Sequence, residues 1–274
     1  MIAIVTDSTA YLTHDEAEKM GVVIVPMSYS FAAGQSINEG CIEEDQRAER
    51  QVAEHISTVH TSQATLSAFM NTFSRLRRAG HDILCITMSS RLSGTYANAV
   101  LAARELGNKK IEVVDSLTTC AGLYLLICEA HERILQGEKL SSVAKHIDKL
   151  RHRVRLCFSV DDMTPLRRSG RLGNVRMSVS TVLNIKPILE VRDGAVVSAG
   201  IARGKIDQAN KLCNFCREAS GKVIIDSFLG DGAAMQLPVR LAREDREIER
   251  RRTGPVLGAH LGSGCVGVAF IAKE

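Results

Sequence analysis

What most constrains this chain is an alternation. A short apolar run is followed by a segment with helical spacing, and a glycine often closes the unit. Ile2–Thr6, Val22–Pro26, Asp82–Met88 and Ile111–Val114 are apolar runs of strand length. Residues 14–20, 65–79, 92–106 and 118–136 read as helices, ended by Gly21, Gly80, Gly107 and Gly137. The clearest stripe is Leu66, Phe69, Met70, Phe73 and Leu76. Thr13 stands where a cap for the first helix belongs. Residues 38–58 lack a clean period and read as loop plus a short helix, and 141–152 as a further helix. Short buried strands alternating with helices predict an α/β fold, with a mostly parallel sheet covered by helices on both faces.

The pattern changes near residue 155. Leu156–Val160 reads as a strand and Arg167–Arg176 as an arginine-rich loop. Ile188–Val191 and Ala195–Ala199 flank Asp193-Gly194, a dipeptide suited to the positive φ of a two-residue hairpin turn. Helix 204–217, strand 222–226, helix 232–251 and strands near 255–260 and 265–271 follow. This predicts two domains: 1–154, an N-terminal α/β domain, and 155–274, a second α+β domain with an antiparallel or mixed sheet.

The charge is uneven. Residues 1–150 carry 14 Lys and Arg against 18 Asp and Glu, and residues 151–274 carry 21 against 13. A basic half points to an anionic partner or to a solvated surface. Trp is absent and aromatics are 4%, which argues against nucleic acid bound by base stacking. The longest apolar run, Cys120 to Cys128, is too short to span a bilayer. The start reads as a first strand and carries no signal-peptide pattern. Several of the eight cysteines (Cys85, Cys120, Cys128, Cys157) lie inside apolar runs, as small buried hydrophobes of a reducing cytoplasm.

Familiar chemical motifs are weak. Gly262 to Gly267 matches G-x-G-x-x-G, but no helix follows. Cys213 and Cys216 form one C-x-x-C with no second pair for a metal. No metal, cofactor or catalytic residue is expected. Two hydroxyl-rich turns carry more information. Thr61-Ser62-Gln63 precedes the helix at 65. Ser89 to Thr95, with Ser93 and Gly94, follows the strand 82–88. Ligands in open α/β sheets bind beyond the carboxyl ends of the strands, and helix N-termini favour anions; N-capping is the competing reading. His260, before a glycine loop between two expected strands, is a third candidate. Arg167, Arg168, Arg171 and Arg176 form a fourth, fit for an anionic group or an acidic partner.

These pieces resemble the DegV family of bacterial fatty-acid-binding proteins. The resemblance rests on VTDSTA at 5–10, TSQ at 61–63, ITMSSRLSGTYANA at 86–99, VVDS at 113–116, FSVDDMTPLRRSGR at 158–171, NIKPIL at 184–189, DG at 193–194 and HLGSG at 260–264. It implies a two-domain α/β protein that is not itself an enzyme, with a long-chain fatty acid at the domain junction. It implies that Thr61, Ser93 and His260 hold the carboxylate, with Ser62, Gly94 and Arg171 nearby, and that Arg167, Arg168 and Arg203 face a partner. That partner, by the same resemblance, is an ATP-dependent fatty acid kinase that makes an acyl-phosphate for phospholipid synthesis. Departures are Ala64 for the usual proline, Ser169 and Ser263 within glycine motifs, and a divergent segment 35–45 where the pocket is covered. The competing function is an enzyme or phosphotransferase acting on a small phosphate ester held by the same helix N-termini; an adaptor for acidic protein or nucleic acid is a third.

Overall fold

The computed structural model of the chain describes all residues except 33, 43–45, 108, 173–183, 231, 242–246 and 274, and only the backbone of 232–235. The first half contains β1 (Ile2–Asp7), α1 (His14–Met20), β2 (Val22–Val25), β3 (Met27–Ser30), β4 (Ile37–Glu39), α2 (Arg47–Glu54), β5 (His60–Ser62) and α3 (Leu66–Arg78). Then come β6 (Asp82–Thr87), α4 (Thr95–Glu105), β7 (Ile111–Asp115), α5 (Cys120–Leu135) and α6 (Leu140–Leu150). Strands β2-β1-β6-β7 form a parallel sheet, flanked by α1, α3, α4, α5 and α6. Thr13 closes a full capping box with Glu16 at the start of α1.

The carboxyl ends of this sheet are tied together by buried acids. Asp7 Oδ2 accepts the Met88 N–H at 2.6 Å, joining the end of β1 to the end of β6. Asp115 Oδ1 accepts from the N–H groups of Ser90 and Leu117, joining the end of β7 to the same loop. The loops after β6 and β7 are therefore held in register beside each other.

Strands β4-β3-β5 make a small antiparallel sheet. The sequence pattern did not show it. Its strands are only three or four residues long, and β5 has no buried residue to give a period. Thr61 and Ser62 thus lie on a strand rather than in a turn.

The second half holds β8 (Val154–Ser159), α7 (Thr164–Ser169), β9 (Ile185–Arg192), β10 (Ala195–Arg203), α8 (Gly204–Phe215), β11 (Ala219–Phe228), α9 (Gly232–Leu241), β12 (Ile248–Arg252), α10 (Pro255–Leu261) and β13 (Cys265–Ala272). They build one mixed six-stranded sheet, β10-β9-β8-β13-β11-β12. The Asp193-Gly194 hairpin forms as expected, with φ of 49° and 81° and Arg192 paired to Ala195.

Three expectations are corrected. Residues 255–260 are a helix, α10, not a strand. Pro255 to Ala259 are all buried there, so no polar face marks the helical period. Residues 232–251 are not one helix: α9 ends at Leu241, and Ile248–Arg252 is the edge strand β12, whose charges suit an edge. Arg167 and Arg168 belong to the short helix α7, started by Pro165 and ended by Gly170; Arg176 lies outside the described residues.

The halves are stapled by buried polar contacts. Arg251 forks onto Glu16 at 2.6 and 2.8 Å, donates to Tyr11 O at 2.9 Å, and lies 3.5 Å over the Tyr124 ring. The start of α10 is held from the first half: Glu39 Oε2 accepts the Val256 N–H at 2.7 Å, and Tyr11 Oη accepts that of Leu257 at 3.0 Å. Although Val256 N–H and Ser8 Oγ donate to it, the Glu39 carboxyl is pushed up to about 8, chiefly by burial.

Candidate ligand-binding cavity

A cavity of about 340 Å³ lies between the carboxyl ends of the parallel sheet, one face of the six-stranded sheet, and α10. That volume falls within the range of small-molecule sites. Its walls are largely aliphatic and thioether: Met27, Met88, Leu156, Val191, Val196 and Leu257 are among them, with Phe158 the one Phe, Tyr or Trp among the described lining residues. Two groups of polar residues interrupt this surface.

The first group joins Thr61, Ser62, Gln63, Ser93, Arg171 and His260. Thr61 Oγ1 and His260 Nε2 are 2.8 Å apart, a contact between residues 199 positions apart in sequence. Burial, then the charges of Arg171 and Arg168, pull the His260 imidazole down to about 4, so it is neutral at pH 7. A neutral ring has one donor nitrogen and one acceptor. In the tautomer with Nε2–H, His260 donates to Thr61 and leaves the Thr61 hydroxyl proton for another acceptor.

Ser93 sits just before α4, where its Oγ is 2.9 Å from Thr95 Oγ1 and accepts the Thr95 N–H. The Ser93 hydroxyl therefore closes a local turn just before the helix, while the N-cap position itself makes no side-chain cap hydrogen bond. Gly94 is the N-cap of α4 and does not line the cavity. Its role is room: a Cβ there would stand 2.2 Å from Gln63 Oε1. The missing side chain lets Thr61-Ser62-Gln63 close onto the loop after β6. Thr95 Oγ1 also accepts the Ala64 N–H, and Asn98 donates to Ala64 O, fixing the two segments together.

Arg171 lines the cavity, with Nε donating to Leu92 O at 3.5 Å and Nη1 to Ser169 O. Arg168 donates to Ile56 O and does not line the cavity. Arg167 lies beside it on α7, and Arg203 lies exposed at the end of β10, its N–H bonded to Asp207. Neither lines the cavity.

The hairpin β9–β10 reaches the same rim. Ser89 Oγ donates to Gly194 O at 2.7 Å, and Arg91 Nη1 to Asp193 O at 3.1 Å. Only glycine fits at 194, since φ is +81° and a Cβ would meet Ser89 Oγ at 2.4 Å.

The second group was not foreseen: Thr119, Cys120, Asp226, Thr253 and Cys265. Asp226 sits in the apolar strand β11, and nothing in its neighbours marks it. It is 5% exposed, its Oδ2 accepts the Ala121 N–H at 2.7 Å, and burial pushes its carboxyl up to about 6. The C-x-x-C cysteines are elsewhere, with Cys216 buried in the core behind the sheet; of the glycine motif, Gly262 ends α10 and Gly267, on β13, lines the cavity. Among the described residues, no group of three His, Cys, Asp or Glu is placed to hold a metal, and no helix is long and apolar enough to cross a membrane.

Fold and cavity together define an α/β protein with a largely aliphatic binding cavity that ends on hydroxyls and a neutral imidazole. The model of the DegV family, described as "Uncharacterised protein, DegV family", matches residues 1–273. A DegV domain-containing protein of Halalkalibacterium halodurans is 30% identical over 282 residues, covering 100% of this chain and 99% of its own. One of Deinococcus radiodurans is 31% identical, covering 98% of each. A Thermus thermophilus structure described as "Fatty Acid Binding of a DegV family Protein" shares the fold at TM-score 0.89 and 28% identity over 99% of each chain. A Thermotoga maritima structure described as a DegV lipid binding protein has TM-score 0.89 and 26% identity, covering 100% of this chain and 99% of its own. The chain belongs to the DegV family.

Proposed function

We propose that this protein binds a long-chain fatty acid, with the carboxylate at Thr61, Ser93 and His260 and the acyl chain along the aliphatic walls. The observation that carries this reading is the Thr61–His260 pair, 2.8 Å apart at one polar end of a largely apolar cavity. Fatty acid binding by the Thermus thermophilus relative supports it. Ser62 and Arg171 complete the polar end, and Gly94 acts by letting Gln63 approach. Residues 1–154 and 155–274 form the two domains, and the ligand lies where they meet.

The tail and the head divide the work. A 16-carbon chain offers roughly 12 kcal/mol at about 0.8 kcal/mol per methylene. Association costs of roughly 4–15 kcal/mol come off that. Hydrogen bonds to a carboxylate contribute about 1.5–3 kcal/mol each and mostly offset its desolvation. The chain therefore supplies affinity and the hydroxyls supply orientation. A small phosphate ester, the competing ligand, would leave most of this wall without a partner.

By the family resemblance, the bound acid is presented to a separate ATP-dependent kinase in the cytoplasm, with Arg167, Arg168 and Arg203 toward that partner and no chemistry on this chain. Their exposure supports the reading. Native mass spectrometry of protein purified from bacteria tests the binding step: a co-purifying fatty acid is expected. Ser93→Ala is expected to lower lipid per folded molecule. Unchanged lipid content with a lowered melting temperature would make Ser93 a turn-closing residue only.

A further inference from the structure

We propose that Asp226 is a specificity residue at the inner end of the cavity: its carboxyl group closes the hydrocarbon path and disfavours acids long enough to cover it. This rests on the fatty-acid reading and adds the ligand class, saturated acids whose tail stops before Asp226.

The cavity runs across the six-stranded sheet. Its lining steps from Val196 on β10 through Val191 on β9, Phe158 on β8 and Gly267 on β13 to Asp226 on β11. The polar end lies on the β10 side. Arg171 precedes Leu172, which bridges Val196, and its Nε donates to Leu92 O beside Ser93. Four strand spacings of about 4.8 Å place Asp226 roughly 19 Å from that side. An extended chain advances about 1.2 Å per bond. Dodecanoate therefore spans roughly 13 Å and octadecanoate roughly 20 Å. Of the two, the longer acid reaches Asp226.

At that inner end a carboxyl stands where the strand pattern calls for hydrocarbon. Ile224 and Phe228, two positions to either side on β11, are fully buried apolar residues. Gly267 stands opposite Asp226 on β13 and has no side chain to cover it. Asp226 Oδ2 accepts the Ala121 N–H at the start of α5, and among the described residues no donor meets Oδ1. Cys120 of α5, Cys265 of β13 and Tyr11 face it, and burial keeps all three neutral at pH 7. From β12 come Arg251 and Glu249, which are paired with each other; Arg251 also holds Glu16 and Tyr11 O. Among the described residues none forms an ion pair with Asp226. A tail laid against this carboxylate would strip its water and offer no partner in return.

Covering Asp226 therefore requires it to take up a proton. Without a tail over it, burial holds the carboxyl at about 6, with the Ala121 bond and Arg251 opposing and Glu249 adding. Above pH 6 the proton lowers affinity about tenfold per pH unit for an acid that reaches Asp226. A shorter acid needs no proton there.

Displacement of a fluorescent fatty acid by dodecanoate and by octadecanoate, on the delipidated full chain at pH 6 and pH 8, tests this. The ratio of the two affinities cancels pH effects common to both acids, such as that of Glu39. It is expected to shift roughly ten- to fiftyfold against octadecanoate as pH rises from 6 to 8. Asp226→Asn keeps an acceptor for the Ala121 N–H and removes the charge. It is expected to hold the ratio constant with pH and to raise octadecanoate affinity at pH 8 by about the same factor, with dodecanoate unmoved. A carboxyl that only caps α5 would alter the melting temperature of the variant and leave the ratio untouched, which overturns the proposal. So does a wild-type ratio that does not change with pH. Both results leave the fatty-acid reading standing. If neither acid displaces the probe, both readings fall. Should Asp226→Asn fail to fold, the wild-type ratio alone decides.

Discussion

The two faces of the six-stranded sheet share one backbone and one pleat, yet they do opposite things. One face presents Cys157, Val223, Ile225, Val266, Val268 and Phe270, and closes against α8 and α9 into a second core. There Phe270 meets Phe215 edge-on at 5.5 Å. The other face presents Leu156, Phe158, Asp226, Cys265 and Gly267, and these line the cavity. Alternate residues of the same strands fill one side and leave room on the other. On β13, Val266 and Val268 point to the core where Cys265 and Gly267 point to the void. The room here comes from Cys265 and Gly267 of β13 and Asp226 of β11, small or polar where the core face carries Val, Ile and Phe, not from any change in the fold.

The sharpest way to break this comparison is to truncate one phenylalanine on each face. Phe270→Ala is expected to cost about 3–5 kcal/mol, as in other filled cores. Lipid content per folded molecule should stay unchanged. Phe158→Ala removes a buried ring that lines the cavity on one side, so its cost should fall below that of Phe270→Ala, while the preferred acyl chain becomes longer or bulkier. Denaturant melts with lipid extraction read both. Equal costs and unchanged lipid in the two variants would mean the faces do not differ as described.

A smaller effect concerns how the cavity face is roofed. Helix α10 hangs on Glu39, whose carboxyl sits at about 8 in the fold against 4.5 as its ordinary value. The folded state then holds a proton that the unfolded chain releases. Its stabilisation is complete below about 4.5 and is lost as pH rises through 8. His260 works oppositely, with about 4 against 6.5, so its loss of stability lies below 6.5. Between pH 6.5 and 8 the Glu39 effect stands apart from that of His260, and stability should fall by about 2 kcal/mol. Glu39→Gln should flatten that slope in thermal melts at those pH values. A slope that persists in the variant would place the titration elsewhere.

The smallest change falls at the polar end. Thr61→Val keeps the shape and removes one hydroxyl from the His260 contact. Affinity for a fatty acid should drop roughly ten- to thirtyfold, in line with loss of one hydrogen bond to a charged group. The melting temperature of the ligand-free protein should move little. Fluorescent fatty-acid displacement measures it, and unchanged affinity would detach Thr61 from the head group.

The sequence by itself determined the parts with local causes. Alternating apolar runs and helical stripes gave the parallel sheet. Thr13 marked the cap of the first helix, and Asp193-Gly194 gave the left-handed hairpin turn. The hydroxyl-rich loop after β6 marked the correct end of that sheet, because the carboxyl ends of parallel strands share one edge. Family resemblance singled out Thr61, Ser93 and His260 without placing them. Tertiary structure decided the rest. Whether α10 is helix or strand depended on burial from all sides, which erases the period that sequence reading uses. Arg251 finds Glu16, and Asp226 finds Ala121, across distances in sequence that no local pattern reports. The cavity itself is a place where atoms from several strands and helices fail to fill space. Such a gap is a property of their juxtaposition, and no single segment of the chain encodes it.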